Sequence, residues 1–275
     1  MSIELPDQLS PVEERTLNSF FQLLGTNEPT LDDIWLCMDF VWDSQGCDNE
    51  NIDDNKLCQF YNHPVWLLNG LFIEQDEESL NYRNIFSDWI ARQNPQRIAD
   101  FGGGFGTLAR IIAAKCPQTQ VDVVEPHPHR YALELSKEYP NLVFKPELDG
   151  EYDLLLATDV FEHVTDPLLE IEESSAHLKF GGQYLIANCF YPVIKCHLPC
   201  TFHFHYSWLY LLRKMNLEAG EQVAYGRVFK KTGLVTSSNV RIQEQLSRVL
   251  YPVIKYLSVF FSHVRKLVFF LFNKG

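Results

Sequence analysis

Basic residues are scarce in this 275-residue chain, in which 23 lysines and arginines stand against 36 aspartates and glutamates. The net charge of −13 excludes a general nucleic-acid binder, because phosphate contacts need a clustered excess of lysine and arginine. The sequence also lacks internal repeats and low-complexity segments, whereas 46% of its residues are hydrophobic. We therefore expect a folded protein with a sizeable core and a small-molecule partner.

Features of secreted or membrane-spanning chains are scarce as well. The first residues include Glu4 and Asp7, where a secretory leader would need a basic segment followed by an apolar one. Seven cysteines are an odd number, and their scatter is typical of reduced thiols. Arg265 and Lys266 interrupt the apolar tail, which argues against a membrane span. These features predict a cytoplasmic protein.

The pattern divides the chain into three regions. Residues 1–95 are expected to form a helical lid, because Ser10-Pro11-Val12-Glu13 has the order of a capping box. Residues 96–235 alternate buried strands with helices, which predicts a doubly wound, mostly parallel α/β sheet that binds ligands beyond its strand ends. Residues 236–275 are expected to be an amphipathic helical extension. Within the lid, helices are predicted near residues 11–24, 30–42, 57–72 and 77–93.

A glycine-rich loop follows the first predicted strand in the segment IADFGGGFGTLAR. It does not fit the dinucleotide fingerprint, because Thr107 stands where the third glycine belongs, nor a P-loop, because no Lys-Ser or Lys-Thr follows Gly106. Asp100 before the glycines would repel a phosphate and attract an ammonium group. Glu125 ends the next strand, 23 residues beyond Gly102, where a carboxylate can accept hydrogen bonds from both hydroxyls of a ribose. This arrangement predicts a site for a cationic aminoacyl nucleoside.

These two segments resemble the first two motifs of class I S-adenosylmethionine-dependent methyltransferases, and the similarity extends over residues 95–235. YDLLLATDVFEHVTDP, Phe180-Gly181-Gly182-Gln183 and the segment from His203 to Ser207 resemble the branch that contains ubiquinone-biosynthesis methyltransferases. The resemblance implies a seven-stranded Rossmann-like sheet. It also implies S-adenosylmethionine as cofactor and methyl transfer to a small molecule, more often at oxygen than at nitrogen or carbon.

The same resemblance implies a role for each residue around the cofactor. The amino-acid end would lie near Asp100 and Gly102, the ribose near Gly104, Gly106 and Glu125, the methyl group near Asp159 and Val160, and the adenine edge near Glu147 or Asp149. An alternative for Asp159 is a helix cap.

The residues that we expect to act on or contact the acceptor are histidines and tyrosines. A base is needed only where the acceptor must lose a proton, as a hydroxyl must. The catalytic candidates are His163, His203 and His205, and the candidates for the acceptor pocket are Tyr61, His63 and Tyr206.

A metal ion is a further alternative for this region. Asp159, Glu162, His163 and the later His205 resemble the E-x-x-E-H…H metal site of small-RNA 2′-O-methyltransferases, with Asp in place of the first Glu. Such a site would hold Mg²⁺, which could lower the pKa of a bound hydroxyl. The alternative is that these residues only shape the helix after the fourth strand. Cys196, Cys200, His203 and His205 also suggest zinc, although their spacing is not that of a common zinc module and buried thiols explain the cysteines as well.

The tail is apolar at helical spacing, at positions 250, 253, 257, 260, 264, 267 and 271. It either packs on the domain or on a partner, or lies on a membrane surface with Lys255, Arg265 and Lys266 on its basic face. Two rival functions therefore stay open beside a small-molecule methyltransferase. One is a non-catalytic S-adenosylmethionine-binding protein, and the other is a membrane-docked enzyme for a lipid or quinone precursor. The oligomeric state is left open.

Overall fold

The structure is a computed structural model that describes the backbone of residues 2–272 and the side chains of residues 2–258. The helices are α1 (Pro11–Leu24), α2 (Leu31–Ser44), α3 (Asp54–Tyr61), α4 (Val65–Ile73), α5 (Glu77–Gln93), α6 (Thr107–Lys115), α7 (Arg130–Ser136), α8 (Pro167–Ala176), α9 (Phe204–Lys214) and α10 (Arg241–Phe272). The strands are β1 (Arg97–Phe101), β2 (Gln120–Val124), β3 (Leu142–Lys145), β4 (Tyr152–Thr158), β5 (Leu178–Ala187), β6 (Leu217–Val223) and β7 (Gly226–Lys231).

The seven strands form one sheet in the order β3-β2-β1-β4-β5-β7-β6. The first five are parallel, and the β6–β7 hairpin is antiparallel and pairs with β5 through β7. This confirms the predicted mostly parallel α/β sheet. The strand order reverses between β1 and β4, and in doubly wound sheets the crevice at such a switch point binds the ligand.

Helices α1, α2 and α5 begin within one residue of their predicted starts, because their N-caps are local. Ser10 and Glu13 form a reciprocal capping box at α1, and Thr30 and Asp33 form one at α2. The predicted helix across 57–72 is wrong in one respect, since it is two helices, α3 and α4. Pro64 disfavours a helical conformation of the preceding residue and has no N–H to continue the hydrogen-bond ladder.

Contacts from α4 hold the lid against the glycine loop. The Glu74 carboxylate accepts hydrogen bonds from the Thr107 hydroxyl and the Arg110 guanidinium at the start of α6. Gly70 lets the Phe105 ring pack directly on α4, where a Cβ would lie 2.6 Å from Phe105 Cγ. The lid is therefore anchored to the loop that carries the predicted site.

Among residues 2–272, no helix combines the length and the apolar character that a membrane crossing requires.

Candidate active site

The glycine loop leaves the carboxyl end of β1 in a conformation that favours glycine. Gly102, Gly104 and Gly106 have φ angles of +68°, +52° and +74°. A Cβ on Gly104 would meet no atom within 4 Å, so this side of the loop is open. A Cβ on Gly102 would lie 2.7 Å from Val160 Cγ2, which shows that Val160, after β4, contacts the loop directly.

Asp100 lies beneath this loop with 1% of its surface exposed. Its Oδ1 atom has no hydrogen-bond partner, and burial raises its pKa to about 7, against a lowering influence of the Arg83 guanidinium. A buried acceptor without a partner fits an incoming cation such as an ammonium group. Arg83, on α5, adds the positive charge that would match a carboxylate on the same ligand. The sequence analysis missed Arg83, because no local pattern sets it apart on its helix.

Glu125 extends from the end of β2 toward the same loop. Its Oε2 atom accepts a hydrogen bond from the Gly104 backbone N–H at 3.2 Å, and its Oε1 atom accepts one from the His127 N–H at 3.1 Å. The carboxylate is thereby oriented at the open side of the loop, with further acceptor capacity for hydroxyl groups. The predicted adenine candidate Asp149 has a 61% exposed side chain and forms ion pairs with Arg97 and Lys145.

Asp159 follows β4 with a φ of +56°, which is unusual for a residue with a side chain. Its side chain caps no helix; its Oδ2 atom accepts a hydrogen bond from the Tyr225 hydroxyl at 2.8 Å. Desolvation raises the pKa of Asp159, although the residue keeps contact with solvent. Tyr225 comes from the turn between β6 and β7, and its ring packs on Tyr82 and Phe86 of α5. The helix-cap alternative for Asp159 is therefore wrong.

A cluster of one carboxyl and two imidazoles lies just beyond Asp159. Glu162, His163 and His197 place one ligand atom each within 4.8 Å of one another. The Nδ1 atom of His163 lies 3.1 Å from the Cys196 carbonyl oxygen, and that of His197 lies 2.8 Å from the Tyr191 carbonyl oxygen. A carbonyl can only accept, so each Nδ1 donates and each neutral ring keeps a lone pair on Nε2.

The electrostatics of this cluster follow from its burial. Burial and the charge of Asp159 raise the pKa of Glu162 to about 8, and its Oε1 atom accepts a hydrogen bond from the Cys189 N–H at 2.7 Å. Burial, together with the neighbouring His197, lowers the pKa of His163 to about 3. At neutral pH His163 is therefore uncharged and able to accept a proton or a hydrogen bond.

Two aromatic side chains of the lid face this cluster. The Tyr61 ring lies 6.4 Å and the Trp66 ring 6.3 Å from the His163 ring, both edge-on. The Tyr61 hydroxyl and the Trp66 Nε1 atom are buried without hydrogen-bond partners. Buried donors are normally paired, so two unpaired ones beside a histidine pair indicate a pocket for a polar ligand. The structure thus brings Tyr61 to His163, and adds Trp66 and His197, which the sequence analysis had not placed in the site.

The remaining predicted residues lie elsewhere. His205 Nε2 lies 2.7 Å from the Tyr191 hydroxyl, and His203 Nδ1 lies 3.1 Å from the Ser247 hydroxyl. The pocket candidates His63 and Tyr206 also bind neighbours outside the cluster. His63 accepts a hydrogen bond from the Val65 N–H, and the Tyr206 hydroxyl forms one with the Ser258 hydroxyl. Helix α9 begins at Phe204, and its first turn meets α10.

The predicted metal sets are not the ones that the fold brings together. The clustered group replaces His205 with His197 and offers two nitrogens and one carboxylate oxygen. This donor set does not fit Mg²⁺, which prefers all-oxygen coordination; it is closer to the ligands of zinc. Among the side chains that the structure describes, no other group of three such residues shares an ion-sized space, so the predicted cysteine–histidine zinc set does not form.

The seven-stranded sheet, the open glycine loop and the acids at the ends of β1 and β2 define a class I S-adenosylmethionine-dependent methyltransferase. The chain belongs to the family of methyltransferase domains, whose model matches residues 78–228, more than half of its length. This confirms the resemblance that the motifs carry. The unpaired Asp100 oxygen, the adjacent Arg83 charge and the free space at Gly104 fit such a cofactor.

Individual relatives are more distant. A ubiquinone biosynthesis O-methyltransferase of Ruegeria sp. (strain TM1040) is 29% identical over an alignment of 94 residues, and the match covers 31% of this chain. The chain thus spans 38% of the length of this curated relative. An O-methyltransferase family protein from Burkholderia thailandensis has a similar structure, with a TM-score of 0.50 at 12% identity, covering 82% of this chain and 76% of that chain. That similarity supports the fold alone.

A further solved structure is the 1,6-didemethyltoxoflavin-N1-methyltransferase of Burkholderia thailandensis, bound to 1,6-didemethyltoxoflavin and S-adenosylhomocysteine. It is 16% identical, with a TM-score of 0.41, and the alignment covers 54% of this chain and 77% of that chain.

Proposed function

We propose that this protein transfers the methyl group of S-adenosylmethionine to a hydroxyl oxygen of a small molecule. The observation that carries the choice of oxygen is the neutral histidine pair, His163 and His197, beside the unpaired hydroxyl of Tyr61. A hydroxyl acceptor must lose a proton, and lone pairs on two buried imidazoles can take it. The name of the curated relative, an O-methyltransferase, supports the same choice.

On the cofactor side, Asp100 would bind the ammonium group and Arg83 the carboxylate of the amino-acid end. Glu125 would accept hydrogen bonds from the ribose hydroxyls, with Gly102, Gly104 and Gly106 leaving room for the backbone to approach. Asp159 and Val160 would flank the reacting methyl group. When bound, the sulfonium supplies an electrophilic methyl group and a good leaving group, so alignment and exclusion of water supply most of the catalysis.

On the acceptor side, the lid aromatics Tyr61 and Trp66 would close over the pocket and donate hydrogen bonds to the acceptor. His163 would accept, on its Nε2 atom, the proton that the acceptor hydroxyl loses on methylation. A hydroxyl becomes strongly acidic as its oxygen gains a methyl group. A weakly basic imidazole is therefore a sufficient proton acceptor.

The test is transfer of labelled methyl from S-adenosylmethionine to two acceptor pools, one of phenols and alcohols and one of amines. We expect labelling of the hydroxyl pool, and a loss of about 10²- to 10⁴-fold in rate for His163→Gln. The matched control is His177→Gln, because the Nδ1 atom of His177 also lies next to a backbone carbonyl oxygen, that of Gly150, at the other end of the strands. Labelling of the amine pool, unchanged in His163→Gln, would overturn the choice of oxygen.

Two further outcomes separate the alternatives. Cofactor binding by calorimetry without transfer to either pool would indicate a non-catalytic S-adenosylmethionine-binding protein. We expect the rate of methyl transfer to be unchanged by EDTA, because His163 accepts the proton without a metal ion. Loss of this rate in EDTA and its recovery with Zn²⁺ would indicate that the reaction needs a metal ion. All seven cysteines are free, which supports the proposal of a reducing, cytoplasmic compartment.

A further inference from the structure

Helix α10 lies on the domain with its polar side inward. Ser247 pairs with His203, and Ser258 pairs with Tyr206, whose ring lies 6.1 Å from that of Tyr251. The apolar side chains of the helix are exposed instead: Ile242, Leu246, Val249, Leu250, Val253, Ile254, Tyr256 and Leu257. A helix of a soluble domain normally buries its apolar stripe, so this reversed orientation indicates that another surface covers the stripe.

The exposed residues form one continuous face. Positions 242, 246, 249, 253 and 256 fall within an arc of about 80° at about 100° per residue. Val249 is 74% and Val253 is 57% exposed. In the sequence, the same spacing continues through Phe260, Val264 and Leu267. The apolar spacing therefore continues in the sequence beyond residue 258, the last whose side chain the structure describes.

The charge of this segment is opposite to that of the protein. From residue 245 to the last residue there is no aspartate or glutamate, whereas the whole chain has a net charge of −13. The basic residues in this stretch are Arg248, Lys255, Arg265, Lys266 and Lys274. A cationic segment on an acidic protein complements an anionic surface such as that of anionic lipid.

A second copy of the chain is a poorer match for this face. With Leu250 and Leu257 at the a positions of a heptad, the e and g positions are Ile254, Tyr256, Phe261 and His263, where paired helices need acidic and basic partners. Two such helices would also carry the same positive charge. An apolar face broader than a dimer seam, with basic residues on the other side, is the pattern of a helix that lies in a membrane interface.

We infer that α10 docks this protein on anionic lipid bilayers, lying in the interface with Leu246, Val249, Val253 and Leu257 toward the acyl chains. This inference goes beyond the methyl-transfer proposal and does not depend on it. Docking would leave the domain tethered at the surface through the polar side of α10.

The experiment is co-sedimentation of the full-length protein with vesicles of phosphatidylcholine alone and of phosphatidylcholine mixed with phosphatidylglycerol. We expect binding to the anionic vesicles that weakens in high salt. The double variant Val249→Glu/Val253→Glu should bind at least about tenfold more weakly, since each glutamate removes apolar burial and adds repulsion. The matched control is Phe180→Glu, because Phe180 is 80% exposed and lies in the irregular stretch of β5 between Leu178 and Gln183, where β5 does not pair with β4.

The outcomes separate cleanly. Equal binding of the wild type and the double variant would overturn the inference, and so would no binding to either kind of vesicle. Light scattering that shows a wild-type dimer and a monomeric double variant would assign the face to self-association. Calorimetry with S-adenosylmethionine on the same samples shows whether the variant is folded. If the wild type does not bind S-adenosylmethionine, the proposed function is contradicted, whereas the result of the vesicle experiment is unaffected.

Discussion

The buried carboxyl group of Asp100 should make cofactor binding depend on pH. Its pKa is raised from 3.8 to about 7, and its unpaired oxygen is the proposed partner of the cofactor's ammonium group. A proton therefore competes with the cofactor in the physiological range. With a pKa of about 7, the ionised fraction falls from roughly 0.7 at about pH 7.4 to roughly 0.03 at about pH 5.5, so the affinity should fall about twentyfold.

The same shift affects stability, with a sign that can be worked out. Since the folded pKa lies above the unfolded one, the unfolded state ionises first as the pH rises from 3.8 to about 7, and the folded state loses relative stability in that window. The full loss is on the order of 4 kcal/mol and persists above pH 7. Asp100→Asn has no carboxyl to ionise. Its free energy of unfolding should match the wild type near pH 4 and exceed it at pH 8.

The assay is calorimetric titration of the wild type and of Asp100→Asn with S-adenosylmethionine across this pH range. The variant should bind about 10- to 100-fold more weakly at neutral pH, because a charged hydrogen bond contributes about 1.5–3 kcal/mol, and its affinity should vary less with pH. Asp159 and Glu162 also have raised pKa values, but both proteins contain them, so the difference between the two curves reports Asp100. Parallel curves would refute the pairing of Asp100 with the cofactor.

Three other substitutions test the loop, the end of β4 and the lid. Gly104→Ala and Gly25→Ala both add a Cβ in open space at positive φ, and each should cost about 1–2 kcal/mol of stability. Only Gly104→Ala should weaken cofactor binding in calorimetry. Equal affinities of the two variants would contradict our placement of the cofactor. Tyr225→Phe removes the hydrogen bond to the Asp159 carboxylate and should lower the free energy of unfolding by about 0.5–1.5 kcal/mol in urea titrations. An unchanged free energy of unfolding would mean that this hydrogen bond does not form. Glu74→Ala removes the ionic partner of the Arg110 guanidinium, which keeps its hydrogen bond to the Phe105 carbonyl, so the change should cost about 1–3 kcal/mol and speed proteolysis of α4. A wild-type proteolysis rate would show that this ion pair does not hold the lid.

Much of the cofactor site was readable from the sequence because its parts are local. Asp100 and the glycines lie within seven residues, and Glu125 ends the next strand. Parallel strands in a doubly wound sheet end on the same edge, so two acids at two strand ends must lie close together. The sheet was predictable for a similar reason, since strands that alternate with helices have few arrangements.

The proposed acceptor pocket was only partly predictable, because distant segments of the chain contribute to it. His163 and Tyr61 were candidates, but His197 comes from the segment after β5, and no spacing links it to either. His205 was assigned to the metal set by a resemblance, whereas in the structure its Nε2 atom pairs with the Tyr191 hydroxyl and His197 lies beside His163. A local motif does not show which of several nearby histidines the fold turns toward His163.

The orientation of α10 shows most clearly the difference between what the sequence determines and what the tertiary structure determines. The sequence by itself predicted an amphipathic helical extension over residues 236–275, because apolar residues recur at helical spacing, and it showed that acidic groups are missing after Glu244. The structure forms this helix over Arg241–Phe272. The sequence also determined the cofactor loop, where neighbouring residues act together. Only the tertiary structure decided which face of α10 meets the domain, and that Arg83, Tyr225 and His197 reach the site. Periodicity defines a face of a helix but not its neighbour, since contacts between distant segments depend on how the whole chain packs.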